Sequence, residues 1–380
     1  MERAVAAVLV RTGPDAAFEL RDFPLPSLGA DDGLLRVERC GICGSDYRRF
    51  CGQQAEGAGL DQQDRRPLPA ILGHEIVATV TALGATAARD RGLAEGDRVF
   101  VESSVSCHRC ARCMTGRFKQ CRRRWSYGIS ADLAEPPHLW GGYAQYLYLH
   151  PRAIVHRLPS TLSDAAASLV PPISNGFQWA YVEPQLRYGE SILIIGPGQQ
   201  GLGCVAAAKA VGAGLVMISG LERDAARLAL ARRLGADVTI IVDRESVRER
   251  VRDATGGEMA DIVVEVSGSA AAQSEITTLV RRGGRVVWAG GSGAALVPLA
   301  MGDVTKRALT IKGVRAHEYD AIDRAIALLA SGAIPVDAFA THLLPLSQAE
   351  RAVRLAGNEW PEEQVIHVSI DPWAAPARRH

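Results

Sequence analysis

Beyond residue 190, short apolar runs recur at regular spacing. They fall at about 191–195, 215–219, 238–242, 261–265, 284–289 and 308–313. Runs this short, bounded by glycine and polar residues, predict strands, and the stretches between them are long enough for crossover helices. Residues 225–234, rich in Ala, Leu and Arg with apolar positions three and four apart, predict a helix packed on a sheet. Six strands joined by helices predict an α/β fold, a doubly wound parallel sheet that takes its ligand across the C-terminal edge. The N-terminal run ending at Arg11 predicts a further strand, as do residues 365–370. Glycines, prolines and polar runs make 51–69 and 126–142 loop-like, and 371–380 a loose tail. Tyr127, Trp140, Phe177 and Trp179 either line a pocket or belong to the core.

The first of the repeated strands leads into chemistry. Residues 191–203 read Ser-Ile-Leu-Ile-Ile-Gly-Pro-Gly-Gln-Gln-Gly-Leu-Gly, a strand, a G-x-G-x-x-G turn and the start of a helix. Gly196 permits the tight turn, Gly198 lets a diphosphate approach the backbone beside Gln200, and Gly201 lets helix and strand pack closely. Three glycines in a chain with 38 of them carry little alone. The alternation that continues behind them makes the stretch a dinucleotide site. The tight loop 290–293 offers backbone for close approach of the nicotinamide end.

Composition narrows the rest. A chain of 380 residues has room for two domains, and 47% hydrophobic with 22% charged residues is an ordinary globular balance. A formal charge of +1 gives no overall pull toward nucleic acid or anionic membrane. The N-terminal run is too short for a signal peptide, and Lys209 and glycines interrupt the apolar stretch 201–218, so no membrane partner and a cytoplasmic location are expected.

Four of the eight cysteines, Cys107, Cys110, Cys113 and Cys121, form C-x2-C-x2-C-x7-C. Disulfide frameworks belong mainly to small secreted domains, whereas close C-x2-C pairs converge thiolates on one tetrahedral zinc, here structural because no coordination position is left open. Arg117, Lys119 and Arg122, Arg123 and Arg124 would offset the thiolate charge, or else mark a zinc ribbon that binds nucleic acid. Upstream, Cys43, His74 and Glu75 offer one thiolate, one imidazole and one carboxylate, a set that suits a zinc with an open position. The other reading of this segment is that Cys40 and Cys43 are small buried residues and His74 a core histidine.

The motifs Cys40-Gly-Ile-Cys-Gly-Ser-Asp46, Gly73-His-Glu75, Gly96-Asp-Arg-Val99, the four-cysteine lobe and the glycine turn occur in this order over nearly the whole chain. In that order they resemble the zinc-containing medium-chain dehydrogenase/reductase superfamily of alcohol and polyol dehydrogenases. The resemblance implies a GroES-like β-barrel catalytic domain over 1–170, rejoined by 315–380, and a Rossmann domain over 171–314. It implies that Cys43 and His74 are catalytic zinc ligands, that Ser45 contacts the reacting hydroxyl, that Asp46 orients His74 and that backbone from 290–293 and from 266–268, including Ser267, lies against the cofactor. The family's usual third ligand near the domain junction is missing, since Pro171 has no ligand atom, and Glu75 takes that role as in polyol-type members. The relay histidine is replaced by Arg48, which is no proton acceptor near neutral pH. The implied reaction moves hydride between a secondary alcohol or its ketone and NAD or NADP. A quinone or enone reductase with only the structural zinc is the alternative. A homodimer or homotetramer is the expected assembly. Cofactor choice turns on the end of the second strand, where an acidic residue would bind the ribose 2′-OH. Gly220 stands there, and with Arg223 and Arg227 nearby NADP is favoured, although Glu222 would restore NAD if it reached the hydroxyls.

Overall fold

The computed structural model describes residues 3–53, 67–291 and 296–375. It divides into two compact units, Met1–Leu169 with Ala340–His380, and Val170–Phe339. The expectations for 54–66, 292–293 and 376–380 lie outside the described residues.

The first unit opens with β1 (Arg3–Arg11), β2 (Ala17–Pro24) and β3 (Gly33–Gly41), then helix α1 (Gly44–Phe50) and β4 (Ala70–Ile71). There follow β5 (Glu75–Leu83), β6 (Arg98–Val101), β7 (Ser104–Val105), β8 (Trp125–Ser126), β9 (Tyr146–Leu149) and β10 (Val155–Arg157). Alternating burial along β3 and β9 sends Leu35, Val37, Leu147 and Leu149 into one core with Ile76, Ala78, Val99 and Val101. The antiparallel pairing of β3 with β5 sets Gly41 opposite Glu75. That register brings the C-G-I-C and G-H-E segments together. The stretch 126–142 is irregular backbone, but it is not surface. Tyr127 and Trp140 are buried, edge-on to Trp125, and Tyr127 Oη donates to the Tyr148 carbonyl at 2.9 Å. They are core residues.

The second unit holds β11 (Ser191–Ile195), β12 (Leu215–Gly220), β13 (Val238–Ile241), β14 (Ala260–Glu265), β15 (Val280–Trp288) and β16 (Thr310–Gly313). They form a parallel sheet in the order β13-β12-β11-β14-β15-β16, the doubly wound order that places a ligand at the switch between β11 and β14. Ile192–Ile194, Val216–Ile218 and Ile262–Val264 are all fully buried, as strands covered on both faces should be. Helices α2 (Val170–Gly176), α3 (Gln199–Ala210) and α4 (Tyr319–Ala330) pack in this unit. Phe177 and Trp179 are buried just beyond α2.

The chain's last strands, β17 (His342–Pro345) and β18 (Val368–Asp371), belong to the first unit, where β18 pairs with β3. The expected return at residue 315 is therefore too early. Ala321, Ile322, Ala325, Ile326 and Leu329 form one apolar stripe on α4, and α4 packs against α2. Burying that stripe keeps residues 315–339 in the second unit.

Candidate metal and cofactor sites

Cys43, His74 and Glu75 lie together in the first unit, with their ligand atoms all within 4.8 Å of one another. Cys43 caps α1 where the chain leaves β3, and its backbone N–H donates to Asp46 Oδ2 at 3.0 Å. Buried Asp46 also sets Oδ1 3.4 Å from His74 Nδ1, while His74 Nε2 lies 3.5 Å from Ser45 Oγ. The glycines here make room. A Cβ on Gly41 would stand 2.5 Å from Glu75 Oε2, and one on Gly73, whose φ is +89°, would meet the Tyr143 ring at 2.5 Å and Cys40 Sγ at 2.7 Å.

The electrostatics of the cluster are strained in a consistent way. Burial would raise the Cys43 thiol, but hydrogen bonding to His74, the charge of His74 and Ser45 outweigh it and bring the pKa to about 7. Burial would lower the His74 imidazole; the Asp46 carboxylate, at ion-pair distance 3.4 Å from Nδ1 though outside hydrogen-bond geometry, outweighs it and holds the pKa well above its ordinary value. Burial, then the Cys43 charge, push the Glu75 carboxyl well up. Glu75 Oε2 is buried with no hydrogen-bond partner. An unsatisfied carboxylate oxygen beside a thiolate and an imidazole is costly unless a cation sits among them, so the donor set fits a zinc ion. Cys40 is fully buried, and its Sγ faces the Gly41 carbonyl at 3.5 Å, outside the gathered trio. Arg48 is exposed on α1. Pro171 is buried in α2 of the other unit.

The four lobe cysteines gather in the same unit, on an excursion between β7 and β8. Cys110 Sγ lies 3.5 Å and Cys107 Sγ 3.9 Å from Cys113 Sγ. Thiolates on a tetrahedral zinc at about 2.3 Å stand about 3.8 Å apart, so the spacing fits that ion and not disulfides. All eight cysteines are free thiols. The Cys107 thiol is lowered to about 6, first by the Arg109 backbone N–H, and Cys113 is pushed up to about 12 by burial and then by its neighbouring sulfurs. Part of the flanking basic cluster is committed elsewhere. Lys119 Nζ is 2.6 Å from buried Glu102, and Arg124 reaches the Ser104 and Ser126 hydroxyls at 3.2 and 3.3 Å. These contacts root the lobe on β6, β7 and β8.

In the second unit, Gly196 has φ +106°, and a Cβ on Gly201 would stand 1.9 Å from the Gly196 carbonyl oxygen. Only glycine permits that crossing of strand and helix. Nothing lies within 4 Å of a Cβ on Gly198, so the turn is open above it. Ser267 packs on Gly196 and turns its hydroxyl back to Glu265 Oε1 at 2.5 Å. Buried Glu265, unforeseen in the sequence, also accepts from the Ser267 and Gly268 backbone and from Gln273. It ties down the loop after β14. At the end of β12, Glu222 pairs with Arg244, and Arg227 donates to Asp224 at 2.9 Å. Arg223 is exposed with no hydrogen bond or ion pair among the described residues. A Cβ on Gly220 would meet the Pro197 ring at 2.5 Å.

Residues 29–160 match the alcohol dehydrogenase GroES-like domain and residues 201–331 the zinc-binding dehydrogenase family. The chain is 36% identical to a probable alcohol dehydrogenase of Mycobacterium tuberculosis over 97% of its length and 99% of that protein. It is 30% identical to the sorbitol dehydrogenase of Bacillus subtilis over 89% of its length and 90% of that protein. An alcohol dehydrogenase structure from Thermotoga maritima superposes with a TM-score of 0.85 at 25% identity, covering 98% of this chain and all of that one. A zinc-binding dehydrogenase of Sinorhizobium meliloti bound to NADP does so at 0.83 and 26% identity, over 98% of this chain and 100% of that one. Among the described residues, no helix is long and apolar enough to cross a membrane.

Proposed function

Because the chain belongs to the zinc-containing medium-chain dehydrogenase/reductase superfamily and is an oxidoreductase of alcohols, we propose that it interconverts a secondary alcohol and its ketone using a catalytic zinc. The observation that carries this is the orphaned Glu75 oxygen beside Cys43 and His74. Cys43, His74 and Glu75 would hold the ion, and Cys107, Cys110, Cys113 and Cys121 a second, structural one. A zinc bound by the first set supplies Lewis acidity toward the substrate oxygen. The rest of the work falls to the chain. Asp46 orients His74 through Nδ1. Ser45, 3.5 Å from His74 Nε2, would accept the substrate hydroxyl proton while handing on its own, and a bound nicotinamide would supply the hydride acceptor. Arg48 cannot pass that proton on, so it continues to solvent or to cofactor hydroxyls. Relatives named for sorbitol and for erythritol or L-threitol favour a polyol or sugar alcohol; the enone reductase alternative draws no support from them.

We infer that NADP is the preferred cofactor. Gly220 puts no carboxylate at the 2′ position, Glu222 is engaged with Arg244, and Arg223 is available to a phosphate. Arg227, engaged with Asp224, is the lesser candidate. Replacing Gly220 by Asp would press on Pro197 in the phosphate turn and weaken both cofactors, so Arg223→Ala is the sharper test of preference. It should cut the ratio of kcat/KM for NADP over NAD by about tenfold, the worth of one charge-assisted hydrogen bond. An unchanged ratio ends the NADP reading. A screen of polyols and cyclic secondary alcohols with both cofactors, alongside zinc analysis, tests the function as a whole. Two zinc ions per chain with alcohol turnover are expected. One zinc and no turnover of any alcohol overturns it.

A further inference from the structure

A buried polar chain in the second unit runs from α2 to the glycine turn. Ser174 Oγ, fully buried, donates to the Pro171 carbonyl at 3.0 Å and lies 2.9 Å from His317 Nδ1. The same Nδ1 is 2.9 Å from Asn175 Oδ1, and Asn175 Nδ2 donates to Gln200 Oε1 at 3.0 Å. His317 is 9% exposed. Its neighbours are pinned: Trp179 Nε1 donates to the Ala316 carbonyl at 2.9 Å, and the Glu318 N–H to Gln178 Oε1 at 3.1 Å. Ala316 is held at φ +59°, a conformation a non-glycine residue adopts only when its surroundings impose it.

One assignment of the protons satisfies all of these contacts, with Ser174 donating to the Pro171 carbonyl. Because the Ser174 proton goes to Pro171, the Ser174 oxygen and the Asn175 carbonyl both face Nδ1 as acceptors, so His317 carries its proton on Nδ1. Asn175 must then turn its amide toward Gln200, whose carbonyl is consumed. That leaves the Gln200 Nε2 amide with no protein partner among the described residues, inside the G-x-G-x-x-G turn. The other tautomer would reverse every amide in the chain and turn the Gln200 carbonyl outward, an acceptor facing an anion.

We propose that His317 is a positioning residue for the dinucleotide's diphosphate, acting through Asn175 to hold the Gln200 amide as a donor to a phosphate oxygen. This rests on the reading that the glycine turn binds a dinucleotide. The device is independent of both metal clusters.

Calorimetric titration of ADP-ribose, with adenosine as the ligand lacking a diphosphate, tests it on wild type, His317→Ala, Gln200→Ala and the double variant. Each single change should weaken ADP-ribose about tenfold, one hydrogen bond to a charged group, and leave adenosine within about twofold. The double variant should bind no more weakly than Gln200→Ala, because one residue acts through the other. His317→Asn, which keeps an N–H near Nδ1, should recover most of the loss and guards against a poorly folded alanine variant. Equal weakening of both ligands, additive losses, or no loss overturns the proposal. Wild type that fails to bind ADP-ribose overturns the dinucleotide reading and this proposal with it.

Discussion

The two thiol clusters of the first unit are built in opposite ways. The lobe draws four identical donors from one short excursion, Cys107 to Cys121, and its sulfurs already stand at the spacing of a closed tetrahedron. The Cys43 cluster draws three unlike donors from separate segments, and only the β3–β5 register, Gly41 against Glu75, unites them. Four thiolates leave no position for a substrate. A thiolate, an imidazole and a carboxylate leave one. The lobe is rooted by Lys119 on Glu102, and a metal there would mainly hold chain together. The other cluster is rooted in the β3–β5 pairing, and its buried Glu75 Oε2 has no hydrogen-bond partner. A closed cluster converts metal binding into stability; an open one stores a cost that the metal relieves.

The largest effect should therefore fall on the lobe. Cys110→Ser should lose one of two zinc ions and lower the melting temperature by about 10 °C or more, as loss of ~4 kcal/mol would do in a domain of this size. Metal analysis and calorimetry read both quantities. A variant with unchanged zinc and unchanged melting removes the contrast between the clusters.

Glu75 should behave differently. Glu75→Ala and Glu75→Gln should each lose the other zinc ion and lower alcohol turnover by about a thousandfold, the scale of several kcal/mol in the barrier, with the fold and the lobe's ion retained. Metal-free protein sharpens the point. The Glu75 carboxyl has its folded pKa raised by burial and by Cys43. Such a group is no burden below its unfolded value and costs stability as pH rises through the folded one. Stripped wild type should thus be less stable at pH 7 than at pH 5 by this contribution, and stripped Glu75→Gln should lack that part of the difference. If the glutamine variant and wild type melt alike at both pH values when stripped, Glu75 stores no such cost.

These contrasts also explain how much could be read in advance. The lobe was legible because its spacing is local, and the glycine turn because the crossing at Gly196 and Gly201 admits no side chain. The parallel sheet followed from apolar runs that stay apolar because both faces are covered. The Cys43 cluster needed a family resemblance, since nothing in the spacing of Cys43 and His74 reveals the register that joins them. Long-range facts stayed hidden altogether. The stripe on α4 is visible as a pattern, but not that α2 covers it and holds 315–339 in the second unit. Lys119 reads as free to balance thiolates until Glu102 is found beside it, and no sequence signal joins His317 to Asn175.

His367 offers an intermediate test behind the open cluster, where a Cβ on Gly41 would approach its ring at 3.1 Å. Burial, then the charge of Arg39, lower its pKa to about 3. A histidine buried neutral contributes no penalty above its unfolded pKa near 6.5, and costs stability as pH falls from there toward the folded value. By pH 5 the loss should be about 2 kcal/mol, and His367→Gln should flatten melting temperature against pH over this range. An equally steep profile in that variant assigns the acid sensitivity elsewhere.

The smallest effect expected is on Asp46, and it separates orientation from ligation. Both carboxylate oxygens are in use: Oδ2 accepts from the Cys43 backbone N–H at 3.0 Å and Oδ1 faces His74 Nδ1 at 3.4 Å. An asparagine side chain at this position would have one acceptor for two donors, so either the cap on α1 or the hold on His74 is lost. No ligand atom disappears. Asp46→Asn should therefore keep two zinc ions when zinc is plentiful, but release the Cys43-cluster ion to a competing chelator about 10- to 100-fold more readily, the usual cost of removing a partner behind a metal-bound histidine. The lobe's ion should resist chelator as before, which provides the internal control. Activity lost in chelator should return on adding zinc, as it would not if Asp46 merely stabilised the fold. Unchanged chelator resistance would reduce Asp46 to a helix cap and leave His74 oriented by Ser45 alone.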